Sequence, residues 1–307
     1  MASVIIFGPT GNIASVAALT AAEHGAKVFL AMRDASKTIR GLTPEHEKSG
    51  KFERVQADMS KPETVAEAVR KTGAKRAFIY LAHGTPDHQK ASIEALKSNG
   101  IDFVVFLSSS TIHKDPREIP AKEIIPFMHA QVEINLDDIF GAANFVSVRP
   151  GAFATNIARY KADIAKGECV AFGHKFRMDG VTPVDMGQVA GTILATGPKN
   201  GQHIVYVYGP KIMEQGEAIQ AAGRVLGKEV KLGDLGAEQA LEQLTAMFHS
   251  KPLAEYMVGG YSEDPTENMK KRLQHYEEGV GNVELYTGRP ATRFEDWVRA
   301  NQELFAV

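Results

Sequence analysis

The sequence predicts an α/β fold, a doubly wound parallel sheet followed by a smaller C-terminal lid region. Three observations carry this. Through the first half of the chain, short apolar runs alternate with helix-forming segments. The runs are mostly apolar throughout rather than at every second position, as in strands covered on both faces. The first run ends in a glycine-rich turn that opens a helix. Right-handed crossovers then divide the helices between the two faces of the sheet.

Val4–Phe7 is the first strand, stopped by Gly8. The Ala- and Leu-rich segment Asn12–His24 forms a helix closed by Gly25. Lys27–Met32 and Phe52–Gln56 are the second and third strands. Pro62 opens a helix reaching Thr72, with proline in its first turn. Ala77–Leu81 is the fourth strand, and Asp87 caps a helix that ends near Asn99-Gly100. Phe103–Leu107 is the most β-prone segment of the chain; a helix from Phe127 to Phe140 and a sixth strand, Phe145–Val148, follow it. Beyond Pro150 the rhythm changes. Thr155–Lys166, Pro183–Ala195, Gln215–Leu226, Ala237–His249, Asn268–Glu277 and Arg293–Leu304 read as helices. Val170–Phe172 and Phe176 are candidate short strands, and Ile204–Tyr208 is a late one.

Composition excludes several function classes. The 307 residues carry 35 Lys+Arg against 37 Asp+Glu, a formal net charge of −2, which argues against a basic surface for nucleic acid. With 44% hydrophobic and 23% charged residues the chain can bury its own core. The single cysteine, Cys169, excludes an intrachain disulfide framework and a Cys-cluster zinc site, and suits a reducing compartment. No basic segment precedes Val4–Phe7 and no apolar run approaches ~18 residues. Neither a secretory leader nor a membrane span is expected, and the cytoplasm is the expected location. Metal-ligand spacing and the G-x-S-x-G elbow of hydrolases are both absent.

Gly8-Pro9-Thr10-Gly11-Asn12-Ile13-Ala14 is the strongest chemical signal. A pyrophosphate needs bare backbone N–H groups at the positive end of a helix dipole. Gly8 supplies the tight turn, Gly11 lets the backbone approach the phosphates, and Ala14 lets the helix pack on the strand. Gly8, Thr10, Gly11, Asn12 and Ile13 are therefore the expected pyrophosphate grip of a Rossmann domain.

The end of the second strand selects the cofactor. An NAD site places a carboxylate there for the ribose 2′-hydroxyl, whereas this chain has Met32-Arg33, with Lys37 and Arg40 nearby. The planar fork of Arg33 suits adenine stacking and a 2′-phosphate, so NADP(H) is expected. The plain alternative is that Arg33 pairs with Asp34 or a surface carboxylate. Asp58, after the third strand, is either an acceptor for the adenine amino group or the N-cap of the helix at Pro62. His83-Gly84-Thr85-Pro86, after the fourth strand, should pass near the nicotinamide-side ribose or form a simple turn.

The glycine turn, Met32-Arg33-Asp34, Ala57-Asp58 and Val148-Arg149-Pro150-Gly151-Ala152-Phe153 together resemble the NmrA-like group of atypical short-chain dehydrogenase/reductases. Thr287-Gly288-Arg289-Pro290 followed by Phe294-Glu295-Asp296-Trp297 is similar to that group's C-terminal ending, so the resemblance spans nearly the whole chain. It implies NADP binding, and either NADPH-dependent reduction of a small molecule or cofactor sensing without turnover. It also implies that Ala152 and Phe153 face the nicotinamide.

Ordinary members of the wider superfamily use a Tyr whose pKa is lowered by a Lys four residues later. No Tyr here has a Lys at that spacing. Where atypical relatives often keep a Lys, alignment places Gln131, which can bond a ribose hydroxyl but supplies no charge. Two routes remain. His113 or His129 protonates the product, each being otherwise a surface or cap residue. Or the substrate is already an electrophile, such as an iminium or activated alkene, and positioning alone suffices. Phe127, Met128, Phe153 and Tyr160, with Phe176, are candidate walls of an apolar substrate pocket, with core packing as the alternative.

The expectation is an NADP(H)-dependent oxidoreductase acting on a small apolar ketone, imine or activated alkene. Residues 1–150 would form the NADP-binding domain and residues 151–307 the substrate lid. The expected partner is the small-molecule substrate, with a homodimer left open. The rival is a non-catalytic NADP(H)-sensing regulator acting through a protein partner; a third reading is an isomerase or cyclase that keeps NADP as structure.

Overall fold

The computed structural model describes residues 2–262, 270–271 and 273–307. Seven strands form one parallel sheet in the order β3-β2-β1-β4-β5-β6-β9. They are β1 (Ser3–Phe7), β2 (Lys27–Met32), β3 (Phe52–Gln56), β4 (Arg76–Tyr80), β5 (Phe103–Leu107), β6 (Phe145–Pro150) and β9 (Ile204–Val207). The order reverses between β1 and β4, so the crevice outside their C-terminal ends is where such a sheet receives a ligand.

Strand residues alternate between two cores. Val4, Ile6, Val28 and Leu30 pack with α1 (Asn12–Glu23), α7 (Pro183–Thr196) and α11 (Tyr276–Thr287) on one face. Ile5, Phe7, Phe29 and Ala31 pack with α3 (Pro62–Thr72), α4 (Lys90–Ser98) and α5 (Ile124–Phe140) on the other. Burial on both faces explains why these strands carry no polar alternation. Helix α7 crosses α1 at close range because Gly187 and Gly191 face it. A Cβ on Gly187 would lie 2.5 Å from Val16 Cβ, and one on Gly191 would lie 2.6 Å from the Ala17 carbonyl.

The chain beyond Pro150 serves two places. Strand β9 and helices α7 and α11 complete the sheet layers. The rest builds a third apolar core from residues such as Ile157, Met178, Ile219, Phe294 and Trp297. Two small sheets flank it: β7 (Glu168–Ala171) pairs in parallel with β11 (Lys231–Asp234), and β8 (Arg177–Met178) pairs antiparallel with β10 (Met213–Glu214). Helices α8 (Gln215–Val225), α9 (Ala237–Phe248), α10 (Lys251–Ser262) and α12 (Phe294–Ala300) belong to this half.

Several expectations are corrected. Helix α5 begins at Ile124 rather than Phe127, with Pro126 accommodated in its first turn. Asp87 does not sit at the N-cap of α4, which is Gln89; it reaches forward instead and accepts the Ala91 N–H at 2.9 Å. Phe176 precedes β8 rather than forming a strand. The helix expected over Asn268–Glu277 lies partly outside the described residues, and Leu273–His275 is a turn. The helix there starts at Tyr276 and carries Gly279 and Gly281, poor helix formers that obscured it. Gly279 is needed because a Cβ would collide with the Tyr208 ring on the strand side, so packing overrides propensity. The helix expected over Arg293–Leu304 breaks at Asn301 into α12 and a 3-10 turn, Gln302–Phe305. Helix α2 (Pro44–Lys48), α10, β10 and β11 were not foreseen.

Candidate active site

The glycine turn lies at the β1 end of the crevice. Gly8 turns with φ +67°, donates its N–H to the Ala31 carbonyl at 3.0 Å, and accepts the Gly11 N–H at 2.9 Å. A Cβ on Gly8 would stand 2.6 Å from the Tyr80 ring at the end of β4. Gly11 is the N-cap of α1, and no side chain caps that helix. Thr10, Gly11 and Asn12 are exposed while Ile13 is buried beneath them. Uncapped first-turn N–H groups, the dipole's positive end and a surface without Cβ obstruction form a cradle for an anion.

Arg33 lies exposed at the end of β2, and among the described residues its guanidinium makes no hydrogen bond or ion pair. The Arg33–Asp34 pairing considered from sequence is not formed: Asp34 accepts the Ser36 N–H at 3.0 Å and its hydroxyl at 2.6 Å. Arg54 on β3 sets this loop by donating to the Ala35 and Lys37 carbonyls, both at 2.7 Å. Arg40 is held elsewhere, by Asn301 at 2.7 Å and by Glu303. Asp58 accepts the Ser60 N–H at 3.0 Å and its hydroxyl at 2.8 Å. The Ser60 N–H, and more weakly its hydroxyl and the Arg33 charge, hold the Asp58 carboxyl below the usual range. The N-cap of α3 is Lys61, so the capping alternative for Asp58 is overturned; the carboxylate closes a local turn first. Arg33, Asp58 and the Tyr80 phenol influence one another's charge, and Tyr80 lies against Gly8.

The loop after β4 is braced from within. Buried Gln89 accepts the Ala82 N–H at 2.8 Å and donates to the Tyr80 carbonyl at 3.1 Å, satisfying backbone groups where the strand ends. Asn135 of α5 donates to the Asp87 and His88 carbonyls at 3.2 and 3.0 Å. His83 is thereby presented at the surface, close enough to His129 on α5 to affect its charge. His129 Nδ1 lies 2.9 Å from the Ile125 carbonyl. A carbonyl only accepts, so Nδ1 carries the proton and Nε2 is a lone-pair acceptor. Burial pushes the His129 imidazole down from its ordinary pKa, outweighing the Ile125 carbonyl and the Glu133 charge. A neutral imidazole whose one N–H is committed is an acceptor and not a ready acid. His113 Nδ1 likewise lies by a carbonyl, that of Thr111 at 3.2 Å, but its ring is less enclosed and has Glu123 3.7 Å away. Gln131 is half-buried and makes no hydrogen bond through its side chain among the described residues.

Beneath these histidines runs a buried polar network. Ser108, at the end of β5, donates to Glu133 Oε1 at 2.5 Å. Arg149 on β6 donates from Nε to Glu133 Oε1 at 3.0 Å and from Nη2 to Oε2 at 2.5 Å. Its Nη1 reaches the Ile112 carbonyl and the Tyr206 hydroxyl, each at 3.3 Å. The Tyr206 ring stacks on His275 at 4.0 Å between centroids. Asp179 ties the ends of β6 and β9 by accepting the Ala152 N–H at 2.7 Å and the Gly209 N–H at 2.9 Å.

The expected pocket residues go to different places. Phe127 packs on Ile112, Ile119 and Ala130, Phe153 on the sheet core, and Tyr160 on the C-terminal core; Met128 is half-buried on α5. Sequence reading passed over Gln89 and Glu133. An uncharged buried Gln leaves no periodic signal, and Glu133 was read only as part of the stretch aligning Gln131.

The model of the NmrA-like family matches residues 1–286. The chain is 35% identical to the nitrogen metabolite regulation-like protein bik4 of Gibberella fujikuroi, covering 96% of this chain and 95% of that protein. It is 26% identical to the (4-alkanoyl-5-oxo-2,5-dihydrofuran-3-yl)methyl phosphate reductase of Streptomyces griseus, covering 99% of each. Among solved structures, the NADPH-dependent quinone oxidoreductase QOR2 of Escherichia coli, complexed with NADPH, superposes with a TM-score of 0.72 at 15% identity over 99% of this chain and 100% of that one.

Proposed function

The chain belongs to the NmrA-like family, and from that premise we propose that it is an NADPH-dependent reductase of a small, largely apolar electrophile. The observation that carries the reading is the uncapped turn at Gly8–Gly11 together with an Arg33 guanidinium that is unpaired among the described residues. The turn suits the pyrophosphate, and the planar fork of Arg33 suits the 2′-phosphate that distinguishes NADPH from NADH. Asp58 and Tyr80 flank the adenine end, and His83 and Gln131 lie toward the ribose on the nicotinamide side. Bound NADPH would supply hydride. The chain's own residues position the acceptor over the strand ends. A reductase of the Streptomyces relative's kind supports this direction.

Proton supply narrows the substrate. His129 is enclosed and committed to the Ile125 carbonyl, which leaves the more open His113, beside Glu123, as the group to deliver a proton where one is needed. An iminium or quinone-like acceptor asks less of any acid than a ketone does. A second reading, a cofactor-sensing regulator, is favoured by the missing Tyr-Lys pair and by the regulation-like name of the Gibberella relative.

NADPH consumption against a panel of ketones, imines and activated alkenes, with tight NADPH binding measured in parallel, tests both. Turnover of an imine or enone supports the reductase; NADPH binding with no turnover of any class supports the sensor. In the same assay Arg33→Ala should weaken NADPH by about tenfold or more and NADH little, the loss of one charge-assisted phosphate pair. Equal weakening of both would remove the 2′-phosphate role.

A further inference from the structure

Among the described residues, two enclosed guanidinium groups are answered by carboxylates. Arg149 has Glu133, and half-buried Arg289 has Asp185 at 2.7 Å. Half-buried Arg76 instead donates to the Leu194 and Ala195 carbonyls at 3.0 Å, whereas Arg159 has neither a carboxylate nor a full set of acceptors. It lies in the 3-10 helix Ala154–Tyr160 that leaves the end of β6, on the ligand side of the sheet. Its Nη2 donates to Gln215 Oε1 at 2.7 Å and meets the Tyr261 hydroxyl at 3.5 Å. Its plane stands 4.8 Å over the Tyr160 ring. Its Nε is buried without a partner. Every one of these neighbours is neutral, and among the described residues no carboxylate pairs with it. Arginine does not deprotonate in proteins, so the charge is permanent. A half-buried, unpaired charge is costly, and a cation–π contact with one amide bond offsets only part of that cost.

The surroundings hold this guanidinium still. Gln215 is buried and fixed by donating to the Phe172 and Gly173 carbonyls at 3.2 and 3.4 Å. Tyr261 is wedged edge-on against Phe172 and Phe176, at 6.2 and 4.8 Å between centroids. A Cβ on Gly173 would come within 2.9 Å of Tyr261, so the loop closes on the ring. A rigid cation, an orphaned donor and an aromatic wall form a receptor for an acid with an apolar body.

We propose that Arg159 binds an oxyanion, carboxylate or phosphate, carried by the protein's small-molecule ligand. This deepens the proposed function only by adding a charged group to its substrate. The test is isothermal titration of the full chain with benzoate, phenyl phosphate and the neutral benzyl alcohol, each with and without NADPH. The expected result is that at least one anion binds about tenfold tighter than benzyl alcohol. Arg159→Gln should erase that preference and Arg159→Lys should keep part of it, with circular dichroism confirming that both fold. Benzoate alone would name a carboxylate, and phenyl phosphate alone a phosphate. Wild-type protein with no preference for either anion would overturn the proposal, as would an unchanged preference in Arg159→Gln. NADPH titration of the same samples judges the reductase reading separately, because the anion preference is read without cofactor.

Discussion

Glu133 takes both Nε and Nη2 of Arg149, and both side chains are buried against the C-terminal ends of β5 and β6. The pair joins α5, which carries His129 and Gln131, to the strands whose ends line the crevice. Glu133→Gln should therefore destabilise the protein by about 3–5 kcal/mol, because Arg149 is left charged and unanswered in the interior. Urea denaturation measures it. A loss under 1 kcal/mol would mean that solvent already reaches Arg149.

Gly8 and Gly11 separate fold from binding. Gly8 sits at φ +67° with Tyr80 against it, so Gly8→Ala should cost about 1–2 kcal/mol of stability from the left-handed backbone alone. Gly11 has an ordinary φ of −77°, and a Cβ there meets only the Gly8 carbonyl at 3.3 Å. Gly11→Val should leave the melting temperature close to wild type while abolishing NADPH binding, since the branched side chain occupies the phosphate's approach. Unchanged affinity in Gly11→Val would remove the turn from the cofactor site.

The α1–α7 crossing aims the same turn. Gly191→Ala places a methyl against the Ala17 carbonyl and Thr20, and overpacking of this kind costs about 1–3 kcal/mol. If α1 shifts to relieve it, NADPH affinity falls together with stability. Thermal melts and cofactor titration on one sample show whether the two losses travel together.

His129 makes stability depend on pH in a defined direction. Its folded pKa is lowered, so below its ordinary pKa of about 6.5 the unfolded chain takes up the proton first. The contribution of neutral His129 is present above about pH 6.5 and is lost as pH falls through its folded value. Melting temperature should drop between pH 7 and pH 5, and His129→Gln should flatten that drop. A His129 imidazole titrating by NMR at or above 6.5 would contradict both the burial and the acceptor role.

The sheet and the glycine turn were legible because they rest on local rules. Val4–Phe7 is apolar on both faces whatever lies beyond it, and Gly8 answers a backbone angle. Arg33 was readable by position, since it ends a strand where an acid would stand for NAD. The C-terminal half was harder. Helix Tyr276–Thr287 contains Gly279, which only the ring of Tyr208 explains, and β11 is held by a strand more than 60 residues earlier.

Local propensity and period thus determined by themselves that this chain builds a parallel sheet ending in a phosphate-ready turn. Tertiary structure alone decided which charges are answered. Among the described residues, Glu133 finds Arg149, Asp185 finds Arg289, and Arg159 bonds only neutral groups. The physical reason is range: backbone angles and strand patterning are set by adjacent residues, whereas a buried charge is satisfied or left waiting by groups that only folding brings beside it.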